Sequence, residues 1–349
     1  MKNVVVCCDG TANEFAADKT NVLRLFSVLE RSSRQMAGYF PGIGTMEPPG
    51  ALSDIGRRVT RGLARAVGYG LEAEIRNAYA FVMEHFEEGD ALYLFGFSRG
   101  AYTVRVVASL LRMYGLLPRS SAAMLPYAIR LLTSVNDVEG DVGRWFDLAR
   151  DFKATFSMVE CKPHFVGVWD TVSSVGWIAN PLRLPYTASN PDIVHGRHAV
   201  SIDERRAFFR TNLWVPPSRD SEQDLKQVWF AGAHSDVGGG YPEAEGGLSK
   251  ISLRWMLREA AECGLLTDEA KVESVTRDAN ANALMHDTLT PLWWPAEFVP
   301  KSHWNGRSES WKLNRGRKRA VPDGAFIHSS VRNRSGYAPG LPSSVIFVD

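Results

Sequence analysis

Residues Ala91–Tyr114 read ALYLFGFSRGAYTVRVVASLLRMY, and the fold class turns on that stretch. Ala91–Phe97 is an almost unbroken apolar run, the pattern of a strand buried on both faces. Tyr102–Tyr114 is long and apolar and reads as a helix. Between them stands Gly96-Phe97-Ser98-Arg99-Gly100, a G-x-S-x-G sequence. In a strand–turn–helix setting this is the pattern of a nucleophile elbow. Its glycines let the backbone turn sharply, with the serine at the tip. The N–H of Arg99, at the start of the helix, can then donate to a developing oxyanion. The competing reading is a tight turn in which Ser98 only caps the helix.

The same alternation extends outward in both directions. Asn3–Cys8 (NVVVCC) reads as a buried strand, and Asn21–Arg31 as a helix with Asn21 as its N-cap. Ala37–Phe40 reads as a short strand that ends at Pro41-Gly42-Ile43-Gly44. Leu71–Phe86 carries Ile75, Ala78, Tyr79, Val82, Met83 and Phe86 on one helical face. Two later strands, His164–Trp169 and Gln227–Ala233, end at Asp170 and His234. Strands alternating with helices predict an α/β fold, an α/β-hydrolase-like mostly parallel sheet with helices on both faces. The longer stretches 116–160, 177–226 and 265–320 are expected to hold helical insertions that form a lid or cap. With no internal repeat and no low-complexity linker, residues 1–349 read as one elaborated domain.

A serine hydroxyl is a weak nucleophile and needs a base oriented by a third group. The α/β-hydrolase chain order is serine, acid, histidine, with the later members at strand ends. Ser98, Asp170 and His234 satisfy it. His234 opens the glycine-rich stretch His234-Ser235-Asp236-Val237-Gly238-Gly239-Gly240-Tyr241. His328 is the rival base, and Asp236 is either a rival acid or a group that orients His234. The second oxyanion donor of this architecture comes from the loop after Asn3–Cys8, at Gly10 or Thr11. Asp9 and Asn13 could tie that loop in place. Pro41–Thr45 lies at the same sheet edge. No third ligand accompanies His234 and Asp236 at a metal-binding spacing, so no metal and no organic cofactor is expected.

Composition narrows the partners. The 349 residues hold 40 Lys+Arg against 39 Asp+Glu, a net charge of +1, which speaks against nucleic acid. Apolar residues at 45% and charged residues at 23% describe a globular chain. No apolar run reaches the ~18 residues of a membrane span. The start, MKNVVVCCDG, lacks the features of a signal peptide, and Cys7, Cys8, Cys161 and Cys263 show no disulfide-dense spacing. A reduced, cytoplasmic chain is expected, with export by a signal-less system compatible. Trp177-Ile178, Trp214-Val215, Trp293-Trp294 and Trp304 would either fill the insertions or form a lipid-facing rim. The basic run Lys312–Arg319 would meet anionic headgroups or water.

Several stretches taken together, CDGTAN (8–13), FPGIGT (40–45), LFGFSRGAYTVR (94–105), GVWDTV (167–172), HAVSIDERR (198–206), AGAHSDVGGGY (231–241) and IHSSVR (327–332), carry a family resemblance. They resemble the α/β-hydrolase family that includes the first class of type VI secretion lipase effectors, which are bacterial phospholipases. The resemblance runs over roughly residues 3–335, and GFSRGAY and AHSDVGGGY are its specific parts. It implies a catalytic Ser98, Asp170 and His234, and hydrolysis of acyl esters, most plausibly in phospholipids. It also implies transient contact with a membrane surface. The secreted effectors are usually longer, with added segments for membrane docking, whereas here the hydrolase core fills almost the whole chain. No immunity or secretion partner is visible in the sequence. Two other readings stand beside it: an esterase, thioesterase or peptidase on non-lipid substrates, and a non-catalytic binding protein of the same fold.

Overall fold

Asn3–Thr11 (β1) owes its place at the centre of the molecule to its side-chain alternation. Val4, Val6 and Cys8 enter one apolar cluster, while Val5 and Cys7 enter the cluster on the opposite face. The computed structural model describes residues 1–11, 18–42, 54–137, 142–157, 159–172, 176–177, 180–181, 184–218, 220–304 and 309–349. Its other sheet strands are Gln35–Gly42 (β2), Ala91–Phe97 (β3), Pro163–Trp169 (β4), His195–Ser201 (β5), Asp224–Phe230 (β6), Phe326–His328 (β7) and Ile346–Val348 (β8). They form one parallel sheet in the order β8-β7-β6-β5-β4-β3-β1-β2. Every strand therefore ends at the same edge, where a parallel sheet opens its crevice.

Helices cover both faces, as expected. Asn21–Val28 (α1) and Gly247–Glu262 (α7) bury Val22, Leu25, Leu253 and Met256 against one face. Asp54–His85 (α2) and Arg99–Tyr114 (α3) bury Tyr79, Val82, Val104 and Leu111 against the other. The stretch 116–160, expected to contribute to a lid, instead adds to that layer. Its helices Leu125–Thr133 (α4) and Val142–Phe156 (α5) insert Ile129, Leu132, Trp145 and Phe152 into the same cluster as α2 and α3.

Two expectations need correction. Asn21 is not the N-cap of α1: Thr20 is, its hydroxyl accepting from the Leu23 N–H at 3.2 Å. Asn21 is the first helical residue, and its buried amide donates to the carbonyls of Val237 (2.9 Å) and Ser249 (2.8 Å). The stretch 177–226 is not simply an insertion, because β5 lies within it and separates β4 from β6. The sequence of β5, HGRHAVS, hides it: buried Arg197 breaks the apolar run and is paired with Glu259 and Asp224, each at 2.5 Å. No helix of the described residues is long and apolar enough to cross a membrane.

Candidate active site

Ser98 sits between β3 and α3 with φ 58° and ψ −119°. That is a left-handed backbone for a side-chain-bearing residue, and surrounding contacts must hold it there. They do so through the flanking glycines. A Cβ on Gly96 would lie 2.5 Å from the Gly100 carbonyl oxygen, and one on Gly100 would lie 2.2 Å from that of Cys8. The turn is also tied to the next strand, since the Ser98 N–H donates to the Trp169 carbonyl at 3.1 Å.

Asp170 follows β4 and is buried, with φ 40°. Its N–H donates to the Ala199 carbonyl of β5 at 2.8 Å. Its Oδ1 accepts from the Ser201 N–H at 2.9 Å and from Arg319 Nη1. Its Oδ2 accepts from His234 Nδ1 at 2.6 Å. Burial alone would raise the Asp170 pKa. The charge of Arg319 and the bond from His234 outweigh it and hold the carboxyl well below its usual range.

His234 opens His234–Gly238 (α6), just beyond β6. Asp236 fixes that start by reaching back to the Ala233 N–H at 2.9 Å, and Glu204 accepts the His234 N–H at 3.2 Å. The imidazole packs against the rings of Phe97 and Phe209, with centroids 4.6 and 4.7 Å away. Burial lowers its pKa, against the opposing pull of the Asp170 bond. The imidazole is therefore neutral near pH 7, with Nδ1–H donating to the Asp170 carboxylate and Nε2 left to accept. Ser98, which directly follows Phe97, lies at this same edge.

The remaining candidates fall elsewhere or do something different. Asp236 takes no part in the His234 imidazole bond. It accepts from His286 Nδ1 at 2.7 Å, and His286 Nε2 in turn meets Glu245 at 3.0 Å. His328 stacks on Phe230 at 4.7 Å and bonds Ser330 Oγ through Nδ1 at 2.9 Å. It lines a cleft with Arg254, Trp255 and Asn333 that includes none of Ser98, Asp170 or His234. Burial pushes its pKa down to about 4. Asp9 is buried, and its carboxylate accepts from Thr20 Oγ1 (2.5 Å), Tyr39 Oη (2.7 Å) and the Gly10 N–H (2.7 Å). The Gly10 N–H is thus engaged by Asp9 rather than presented to a ligand. Arg99 is the first residue of α3. Ala12, Asn13, Ile43-Gly44-Thr45 and Ile178 lie outside the described residues, as do the side chains of Thr11, Trp177 and Trp304.

Of the tryptophans, Trp214 fills the core, whereas Trp293 packs on Phe209 at 5.8 Å and Trp294 is 38% exposed. The basic run is turned inward at its end. Lys318 pairs with Asp203 at 2.5 Å, and Arg319 reaches Asp170, the Ser201 hydroxyl (2.7 Å) and the Phe209 carbonyl (2.6 Å).

A family model described as the T6SS phospholipase effector Tle1-like catalytic domain matches residues 2–259. The chain belongs to that family. A protein of the yeast Saccharomyces cerevisiae, "Uncharacterized protein YEL023C", is 37% identical over 226 residues, which are 62% of this chain and 33% of that protein. The Tle1-like chain is also similar to a crystal structure of an uncharacterized protein from Pseudomonas aeruginosa, at 20% identity and a TM-score of 0.44, covering 81% of this chain and 51% of that one. A structure of the Tle1 effector bound to the VgrG spike of the type 6 secretion system is similar at 17% identity and a TM-score of 0.33, covering 68% and 51%. The Tle1-like chain thus spans about a third of the yeast relative and about half of each solved chain.

Ser98, Asp170 and His234 all fall inside the stretch matched to the Tle1-like family, and Arg319 falls beyond it. Sequence reasoning missed Arg319, Glu204, Phe209 and His286 as members of this site. Glu204 and Phe209 carried some signal, since Glu204 stands in the HAVSIDERR stretch and Phe209 just follows it. For Arg319 the only signal was a basic run, which reads as surface.

Proposed function

We propose that the chain is a serine ester hydrolase that cleaves acyl esters of phospholipids. The observation that carries this reading is the 2.6 Å bond between His234 and Asp170, at the sheet edge where Ser98 sits at the tip of a left-handed turn. Family membership supports the phospholipid substrate. His234 Nε2 takes the proton from the Ser98 hydroxyl as its oxygen attacks the ester carbonyl. Asp170 holds the imidazole in the correct tautomer and stabilises the imidazolium. The tetrahedral oxyanion is received by the backbone N–H of Arg99 and, with the Gly10 N–H engaged by Asp9, by that of Thr11. Collapse expels the alcohol, which takes the proton from His234. Water then releases the acyl group from Ser98 by the reverse proton path. Contact with a lipid surface is supported by exposed aromatics close to the site: Trp294 and Phe298, the latter 58% exposed, lie beside Trp293, which packs on Phe209.

Phospholipid vesicles incubated with the wild type, then analysed by lipidomics, should yield lysolipid and free fatty acid. Ser98→Ala should abolish both products and all labelling by a fluorophosphonate, a loss of at least ~10³ in rate. His234→Ala should be as damaging, and His328→Ala should retain activity within a few-fold. Full activity of Ser98→Ala removes the nucleophile assignment. Hydrolysis of short soluble esters with intact vesicle lipids favours the non-lipid esterase instead.

A further inference from the structure

We propose that Arg319 is a positioning residue of the catalytic acid, whose charge extends activity toward lower pH. The proposal rests on the Ser98–His234–Asp170 reading above. The guanidinium is held on three sides, by Asp170 Oδ1, by the Ser201 hydroxyl at 2.7 Å and by the Phe209 carbonyl at 2.6 Å. Its side chain is 7% exposed, so water screens it little. The chain leading to it is anchored as well. Asn314 Nδ2 and the Gly316 N–H donate to the buried Glu297 carboxylate at 2.6 and 2.9 Å, and Lys318 pairs with Asp203 at 2.5 Å. The guanidinium thus reaches Asp170 along a fixed path.

The carboxylate is divided between two partners, His234 on Oδ2 and Arg319 on Oδ1. An aspartate facing the imidazole alone would stabilise the imidazolium fully. His234 would then be protonated, and lost as a base, at a higher pH. Arg319 cancels part of that stabilisation while keeping the carboxylate ionised and aimed.

The other charged and titratable groups around the pair do not supply this effect. His198 of β5 accepts from the Thr171 N–H at 3.2 Å, and burial pushes its pKa down to about 3, so it is neutral. Glu204 faces the His234 backbone but is paired with Arg206 at 2.9 Å, and the two charges offset each other. Among the described residues, Arg319 is the net positive charge held against Asp170.

The test is the pH profile of kcat/KM for ester hydrolysis by the full chain, with the downfield Nδ1 proton resonance of His234 titrated in parallel. Arg319→Gln, with folding checked by circular dichroism, should move the acid limb and the proton titration upward by about one pH unit. Arg319→Lys should leave both near wild type while lowering turnover about tenfold, because an ammonium cannot span Asp170 and the Phe209 carbonyl together. A merely structural role would lower activity without moving either titration. A folded Arg319→Gln with both unmoved overturns the proposal. Were Arg319→Gln not to fold, Ser201→Ala decides by the same two titrations: it removes one of the three holds on the guanidinium, so an upward shift of both supports the proposal and no shift in either overturns it. The Ser98→Ala control separates the two readings. An inactive Ser98→Ala beside an unmoved Arg319→Gln sinks only the role of Arg319, whereas an active Ser98→Ala sinks the hydrolase reading itself.

Discussion

Single atoms decide whether the Ser98 turn can exist. A methyl group on Gly100 would meet the Cys8 carbonyl oxygen at 2.2 Å, and that oxygen belongs to the central strand and cannot swing away. Gly100→Ala should therefore destabilise the fold by about 3 kcal/mol or more, read as a lower urea midpoint. Gly89→Ala is the control. Gly89 has φ +87° but nothing within 4 Å of an added Cβ, so only the backbone cost of about 1 kcal/mol applies. Equal effects of the two substitutions would remove the packing argument. At this scale Ser98, Asp170 and His234 were legible as candidates because each follows a strand with a readable apolar run. Arg319 was not, because its bond to Asp170 spans 149 residues and nothing local marks it. The partner of the Gly10 N–H was no easier to read. Its neighbour Asp9 is drawn inward by Thr20 and Tyr39, which meet Oδ2, while Oδ1 accepts the Gly10 N–H.

Elements were readable where hydropathy was uniform and opaque where buried charge was paired. The strand Ala91–Phe97 was read with its observed ends, and β1, β2, β4 and β6 were found with shifted ends. β5 was missed because Arg197 within it is neutralised by partners on other elements, and β7 and β8 because each is only 3 residues long. The beginning of α1 joins element and site. Thr20 caps the helix through Leu23 and donates its hydroxyl to Asp9 of β1. Thr20→Val removes both bonds and keeps the volume. It should cost about 2 kcal/mol in a thermal or urea melt, and it should lower turnover by loosening Asp9. A melt unchanged from wild type would show that neither bond matters.

Over the whole molecule, two histidines besides His234 add to the response to acid. His198 and His328 are held neutral by burial, with values of about 3 and about 4. Below 6.5 the unfolded chain takes up protons that the folded chain refuses. Their contribution is thus complete above pH 6.5 and is lost as pH falls toward 4. His286 has the opposite sign. Burial lowers its pKa, but the bonds to Asp236 and Glu245 outweigh it and raise the value, so its contribution is present below 6.5 and fades only as pH rises. It offsets part of the acid loss as pH falls toward 6.5 and adds nothing further below that. Unfolding free energies from urea melts at pH 7 and pH 4.5 should differ by a few kcal/mol, on the order expected for two such groups, and equal values would contradict the assignment.

The order of the chain adds a temporal dimension. Translation delivers the serine, the aspartate and the histidine well before residue 319, and the strands Phe326–His328 and Ile346–Val348 later still. A nascent polypeptide that has not yet reached residue 319 carries Asp170 without that counter-ion, and its sheet without β7 and β8. The guanidinium that meets Asp170 is made 149 residues after it, so a product clipped between His234 and Arg319 would hold Ser98, Asp170 and His234 yet leave Asp170 without that partner.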